Sequence, residues 1–227
     1  MRRTLLVLAL LLVVLVAADQ YLRMRVGREV EHAAARAFAA SEVDADVRGW
    51  AVLPQLLAGT IDHVDLAVDD AVVGDPPIRV VQLTATLDGM AVGFPPPAGV
   101  DEVELAGGTL SLVIHEREVE RLVRAQRPGW TVRVTPDGVV ADGQVRGASV
   151  RVVADVVVDG RAVRLLASEV DAGELGPGAS DAVAAAFETT LAFEGVPGTI
   201  RFTGATTTVG RLVIDGVLGA GTLRLDG

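Results

Sequence analysis

Residues 81–88, Val-Gln-Leu-Thr-Ala-Thr-Leu-Asp, alternate apolar and polar side chains at every step. Successive side chains of a strand point to opposite faces, so Val81, Leu83, Ala85 and Leu87 share one face and Gln82, Thr84, Thr86 and Asp88 the other. A strand that is greasy on one side only belongs to an antiparallel sheet with one face covered. The same period recurs upstream in Val43, Ala45 and Val47 and in Val64, Leu66 and Val68, and downstream in Leu110, Leu112 and Ile114. From Trp130 to Val170 the chain reads as a meander, with hairpin turns at Asp137-Gly138 and Asp159-Gly160 and a further turn near Asp142-Gly143. Val150, Val152, Ala154, Val156 and Val158 form its apolar row, and short strands are expected around 200–202, 212–214 and 222–225.

Helices bracket these strands. From Asp19 to about Ala40 the apolar residues Leu22, Val26, Val30, Ala33, Ala34, Ala37 and Phe38 recur at spacings of three and four, with Gly27 the one glycine and no proline. A short helix is predicted over Glu116–Gln126, with Val119, Leu122 and Val123 facing in and Glu120 four residues before Arg124. After the breaker Gly176-Pro177-Gly178, Ser180 is a natural N-cap for a helix to about Phe193, with Val183, Ala186, Phe187 and Leu191 inside. Pro95-Pro96-Pro97 reads as a stiff loop between strands. The fold class is therefore α+β, a curved and mainly antiparallel sheet wrapped around a long N-terminal helix and a C-terminal helix.

The start of the chain sets the expected compartment. Arg2 and Arg3 precede an apolar run of fourteen residues, Leu5 to Ala18. At 1.5 Å per residue that run covers about 21 Å, short of the ~30 Å hydrocarbon core. It suits the apolar segment of a signal peptide, with Val16-Ala17-Ala18 offering small residues before a cut at Asp19. A retained membrane anchor is the competing reading, since the helical pattern runs on through Tyr21 and Leu22. Residues 1–18 are thus a signal peptide or anchor, and 19–227 form one domain outside the cytoplasmic membrane, in the periplasm or cell envelope.

Composition narrows the function. The 20 basic residues are all arginine, against 30 acidic residues, and the excess of acid argues against nucleic-acid binding. Cysteine and lysine are absent, which removes disulfides, thiolate ligands and nucleophiles, and lysine-based chemistry. Ser41, Ser111, Ser149, Ser168 and Ser180 sit in no nucleophile elbow, and no phosphate-cradling glycine loop occurs. His32, His63 and His115 have no second histidine at ligand spacing. His63 with Asp62 and Asp65, and His115 with Glu116 and Glu118, are weighed as a metal cluster and an acid–base group; each also has an ordinary structural use. No enzyme activity, cofactor or metal is expected.

The body is rich in Val, Leu and Ala and poor in aromatics, which suits a hollow between helices and sheet that shields an acyl chain. Each buried methylene contributes about 0.8 kcal/mol, so a chain of some sixteen carbons needs shielding worth on the order of 13 kcal/mol. The segment Gly49-Trp50-Ala51-Val52-Leu53-Pro54-Gln55-Leu56-Leu57-Ala58-Gly59, followed by Ile61 and Val64, resembles the actinobacterial LmeA-type phospholipid-binding proteins. Trp50 stands at that motif's aromatic position, Ala51 replaces its proline and Val52 its second aromatic, while Leu53 and Gln55 to Gly59 match. The resemblance implies a TULIP-like fold with an apolar tube and phospholipid binding in the cell envelope, linked in one member to lipoglycan assembly.

Residue by residue, Trp50, Leu53, Leu56 and Leu57 form either the mouth of the hollow or the staple of a sheet corner, with a helical turn from Pro54. Phe94 beside Pro95, and Trp130 after Pro128-Gly129, are loop-edge residues able to touch a bilayer or to pack locally. Phe187, like Phe193, faces either the core or the ligand. Arg121, Arg124 and Arg127 are the nearest approach to a head-group cluster. The expected partners are phospholipid and a membrane surface. The alternatives are a membrane-anchored structural or interaction domain with a filled interior, and an envelope-lipid hydrolase or transferase with carboxylates assembled in space.

Overall fold

The structure is a computed structural model, and it describes residues 2–49, 51–74, 77–92, 102–175, 178–193 and 199–224. In chain order the elements are α1 (Arg2–Ala37), β1 (Glu42–Arg48), α2 (Val52–Ala58), β2 (Thr60–Val73), β3 (Ile78–Ala91), β4 (Glu102–Leu105), β5 (Gly107–His115) and α3 (Glu116–Gln126). There follow β6 (Thr131–Thr135), β7 (Gly138–Val145), β8 (Ala148–Asp159), β9 (Ala162–Asp171), a 3-10 turn (Gly173–Leu175), α4 (Ala179–Phe187), β10 (Thr189–Ala192), β11 (Ile200–Thr208), β12 (Arg211–Leu218) and β13 (Gly221–Arg224). The described residues give the mixed α+β, TULIP-like arrangement expected from the sequence, with antiparallel pairing in a curled six-stranded sheet, order β1-β2-β3-β5-β12-β11. A five-stranded sheet runs β10-β9-β8-β7-β6, and β13 pairs with β4.

The six-stranded sheet carries three aliphatic rows on one face. Cross-strand register aligns Val43, Val68, Leu83, Leu112 and Ile214 in the first and Ala45, Leu66, Ala85 and Leu110 in the second. The third aligns Val47, Val64 and Leu87. Helix α1 lays Leu22, Val26, Val30, Ala33 and Ala34 inward and runs along β1. Its one glycine packs against that strand: a Cβ on Gly27 would lie 3.1 Å from the carbonyl oxygen of Ala45. Among the described residues no helix is long and apolar enough to cross a membrane.

Three expectations change. The period of two is not held along the whole β2–β3 hairpin: Ala71, Val73, Ile78 and Val80 are buried, whereas Val81 turns outward at 39% exposure. The switch lies opposite Asp70, whose φ of 54° turns the backbone left-handed in mid-strand. The turn placed near Asp142-Gly143 lies instead at Arg146-Gly147, whose φ values of 52° and 86° suit a two-residue type I′ hairpin. Gly143 is a strand residue over which the Trp130 indole lies, so any Cβ there would collide with the ring. The C-terminal helix begins after Gly178 and stops at Phe187; Thr189–Ala192 then pair with Ala162–Leu165 in the second sheet. Leu191 is buried as expected, from a strand rather than a helix. Pro95-Pro96-Pro97 and Gly176-Pro177 fall outside the described residues.

Helix α3 forms where predicted. The His115 side chain caps its first turn by accepting from the Arg117 N–H at 3.3 Å, and Glu116 and Glu118 complement the helix dipole. Burial pushes the Glu118 carboxyl up, but its bonds to Arg121 and to the Arg79 N–H outweigh that and leave it below the usual range. On the second sheet, Asp142 accepts from Arg151 at 2.7 Å and from Arg133 at 3.0 Å. The Arg151 hydrogen bond is the main cause that holds its carboxyl below its ordinary value, opposed by slight burial and reinforced by Arg133. A folded-state pKa below the unfolded one contributes stability that is present above about pH 3.9 and is lost as pH falls through the folded value. Asp142→Asn is therefore expected to melt below the parent at pH 7, with the gap closing as pH drops below about 4. A gap independent of pH, followed by calorimetry, contradicts this.

Candidate functional site

The corner that the sequence singled out is built around α2. Ala51, in extended conformation with no capping side chain, cannot satisfy the first N–H groups of that helix. Asp19 of α1 does so from 33 and 34 residues away, its Oδ1 accepting from Val52 N–H at 2.6 Å and Leu53 N–H at 2.8 Å. Arg23, one turn on, donates to the Gly49 carbonyl at 2.8 Å. The residue immediately after the apolar run is thus the clasp that holds the corner to the long helix. Nothing local marks it in the sequence, because the contact depends on α1 and β1 lying side by side. Asp19→Ala leaves two N–H groups without this acceptor. It is expected to cost about 1–2 kcal/mol and to speed amide exchange at Val52 and Leu53. Unchanged exchange at both amides contradicts the clasp.

The proposed lipid contacts separate. Leu56 is fully buried with Val52, Leu53 is half-buried, and Leu57 stands 68% exposed. Trp50 and Phe94 lie outside the described residues. Trp130, expected at a loop edge, is 8% exposed and packs on Phe187, their ring centroids 5.3 Å apart. Phe187 is buried beneath it, and Phe193 pairs edge-on with Phe202 at 4.9 Å. Trp130 and Phe187 are therefore brought together inside the second sheet's packing, and the α2 leucines lie on a separate element.

A trough of about 730 Å³ crosses all six strands of the first sheet. It is not the oily hollow that the strand pattern suggested. Two rows of mostly short polar side chains line it: Asp44, Ala67, Thr84, Ser111 and Asp215 in one, Asp46, Asp65, Thr86, Thr109 and Val217 in the other. Thr86 donates to Asp65 and Ser111 to Asp215, each at 2.8 Å, and Arg48 pairs with Asp65. Alternation explains the difference, since the residues between those rows turn Leu66 and Leu110 to the opposite face, where they are buried. Four carboxylates against one guanidinium disfavour a phosphate here, and an acyl chain laid over these groups would strip their water. The aliphatic rows on the other face are the surface whose chemistry suits acyl chains.

The groups weighed for catalysis are dispersed. His63 pairs with Asp88 at 2.6 Å on an open face, while Asp65 turns into the trough. His115 caps α3, Glu116 accepts the Val134 N–H at 2.7 Å, and Glu118 holds Arg79 and Arg121. Among the described residues no three His, Cys, Asp or Glu side chains are placed to share a metal ion. Arg121 is committed to Glu118 and the Pro77 carbonyl, and Arg124 to Glu120 and the Trp130 carbonyl. They do not converge as a head-group cluster.

A family model described as LmeA-like phospholipid-binding matches residues 13–217. No curated protein and no solved structure matches the chain.

Proposed function

The chain belongs to the LmeA-like phospholipid-binding family, and from that premise we propose that it is an exported carrier of phospholipid in the cell envelope. The acyl chains lie on the aliphatic face of the six-stranded sheet, and transfer or delivery for envelope assembly follows from that shielding. The observation that carries this reading is the family match over residues 13–217, which covers α1 from Val13 onward and the strands of that face up to Val217. The apolar run Leu5–Ala18 behind Arg2 and Arg3 supports export, with the run either removed or kept as an anchor.

Within the face, the row Ala45, Leu66, Ala85 and Leu110 is the proposed seat. It alternates small and large side chains, and Ala45 and Ala85 are only partly buried although Ala85 lies on a central strand. Ala85→Phe tests it. If the row holds an acyl chain, the added ring takes its place, and phospholipid uptake is expected to fall at least fivefold with little change in melting temperature. If the interior is filled by side chains, as the second reading of a packed structural domain requires, overpacking costs about 1–3 kcal/mol and leaves lipid uptake unaltered. The burial of Val47, Val64 and Val68 to 1% or less favours that second reading locally. Uptake of labelled phospholipid, read beside a thermal melt, separates the two.

A further inference from the structure

Exposed large apolar side chains are unevenly placed. Among the described residues, Leu12, Val13, Val14, Leu15, Val16, Tyr21 and Met24 stand out from α1 and Leu57 from α2, whereas Val81, Val157 and Val217 are scattered over the strands and Val209 lies in the β11–β12 turn. Asp19 fastens the first residues of α2 to α1 and Arg23 holds the Gly49 carbonyl just before it, so Tyr21 and Met24 lie near the same corner as α2. Helix α2 is only about 10 Å long, which keeps Leu57 within roughly two turns of the point where Asp19 grips its first residues.

Charge runs in the same direction. On α1, Leu22, Val26 and Val30 pack against the body, and the stripe turned away from them reads Tyr21, Met24, Arg25 and Arg28. The Arg28 guanidinium lies 3.4 Å from the Met24 sulfur, which places both on that outer stripe. Asp19 is turned into the corner, and Glu29 and Glu31 follow further along the helix. This stripe is cationic on a chain of net charge −10, whose trough carries Asp44, Asp46, Asp65 and Asp215. An anionic bilayer attracts the first and repels the second, and arginines with an aromatic and a thioether suit the headgroup boundary.

The geometry points to a membrane-docking face: Tyr21, Met24, Arg25 and Arg28 of α1 together with Leu57 of α2 rest on an anionic lipid bilayer. The α2 corner is then the end of the body that meets the membrane, and the acidic trough faces away from it. This rests on the phospholipid-carrier reading for its setting, but it can fail while that reading stands.

The absence of cysteine makes the test direct. Full-length chains carrying Leu57→Cys, Met24→Cys, Val157→Cys or Val209→Cys are labelled with an environment-sensitive fluorophore. They are mixed with vesicles of phosphatidylglycerol and phosphatidylcholine, 3:7, containing bromolipid quencher. All four sites are exposed, so label and substitution are expected to leave the melt intact. Labels at 24 and 57 are expected to be quenched and those at 157 and 209 to stay as in buffer. Arg25→Glu with Arg28→Glu is expected to reduce the quenching at 57 at least threefold on these vesicles. Quenching at 157 or 209 equal to that at 57 overturns the proposal. So does an unquenched label at 57 on chains that sediment with the vesicles, or an effect of the double charge reversal no larger on anionic vesicles than on pure phosphatidylcholine. Phospholipid extracted from the same purified chains is measured in parallel. Lipid present with an unquenched label at 57 removes this face and keeps the carrier; lipid absent removes the carrier whatever the label does.

Discussion

Leu56→Asp is expected to abolish the cooperative melting of the full chain, whereas Leu57→Asp, one residue further on, shifts it by about 2 °C or less. The neighbours differ because α2 turns Leu56 wholly into the core and leaves Leu57 68% exposed. Removing a buried leucine costs about 2–5 kcal/mol, and placing a carboxylate in the same apolar site costs several more. Domains of this kind are stable by only about 5–15 kcal/mol, so the sum reaches the stability of the whole fold. The pair also separates architecture from membrane contact. Leu57→Asp is expected to weaken vesicle binding with the fold intact, which Leu56→Asp cannot report on. A Leu56→Asp chain that melts cooperatively near the parent temperature contradicts the placement of α2.

Gly143→Val carries the second large effect. The Trp130 indole lies directly over the Gly143 backbone, so the new Cβ and its two methyl groups occupy the ring's place. Trp130 must leave, and with it the contact to Phe187 at 5.3 Å that joins the start of β6 to α4. Losing a buried tryptophan from its site costs about 3–5 kcal/mol. The measurement is urea denaturation followed by fluorescence, with a red-shifted native spectrum expected because Trp130 becomes wet. An unshifted spectrum and an unchanged midpoint contradict the packing.

These two sites show which parts of the molecule could be read in the residues and which could not. The alternation at 81–88 gave the correct face for Leu83, Ala85 and Leu87, because a half-covered strand imposes its period directly. It failed at Val81, where the φ of 54° at Asp70 on the partner strand accompanies the change of face; that backbone event leaves no trace in hydrophobic period. Asp142-Gly143 has the composition of a hairpin turn, yet Gly143 is there to admit the Trp130 ring, a contact between residues 13 apart on neighbouring strands. Helix α4 stops short of its apolar pattern because Thr189–Ala192 find strand partners in β9, and tertiary pairing outweighs local propensity.

The site was less legible than the fold. The Gly49–Gly59 segment carries the resemblance to the family, but Asp19 and Arg23, which fasten it, lie outside that segment and act across 26 to 34 residues. The acidic trough is equally silent in the sequence. Its two rows come from five strands, and no single strand carries enough of them to signal a groove.

Lipid carriage by this chain requires apolar space for a lipid tail beside the aliphatic face of the six-stranded sheet. Purified full-length chain, stripped of lipid by detergent exchange and offered phospholipid at micromolar concentration, tests this most directly by native mass spectrometry. One or two phospholipids per chain are expected, with uptake at least fivefold lower in Ala85→Phe. A stripped, folded chain that takes up none contradicts the account.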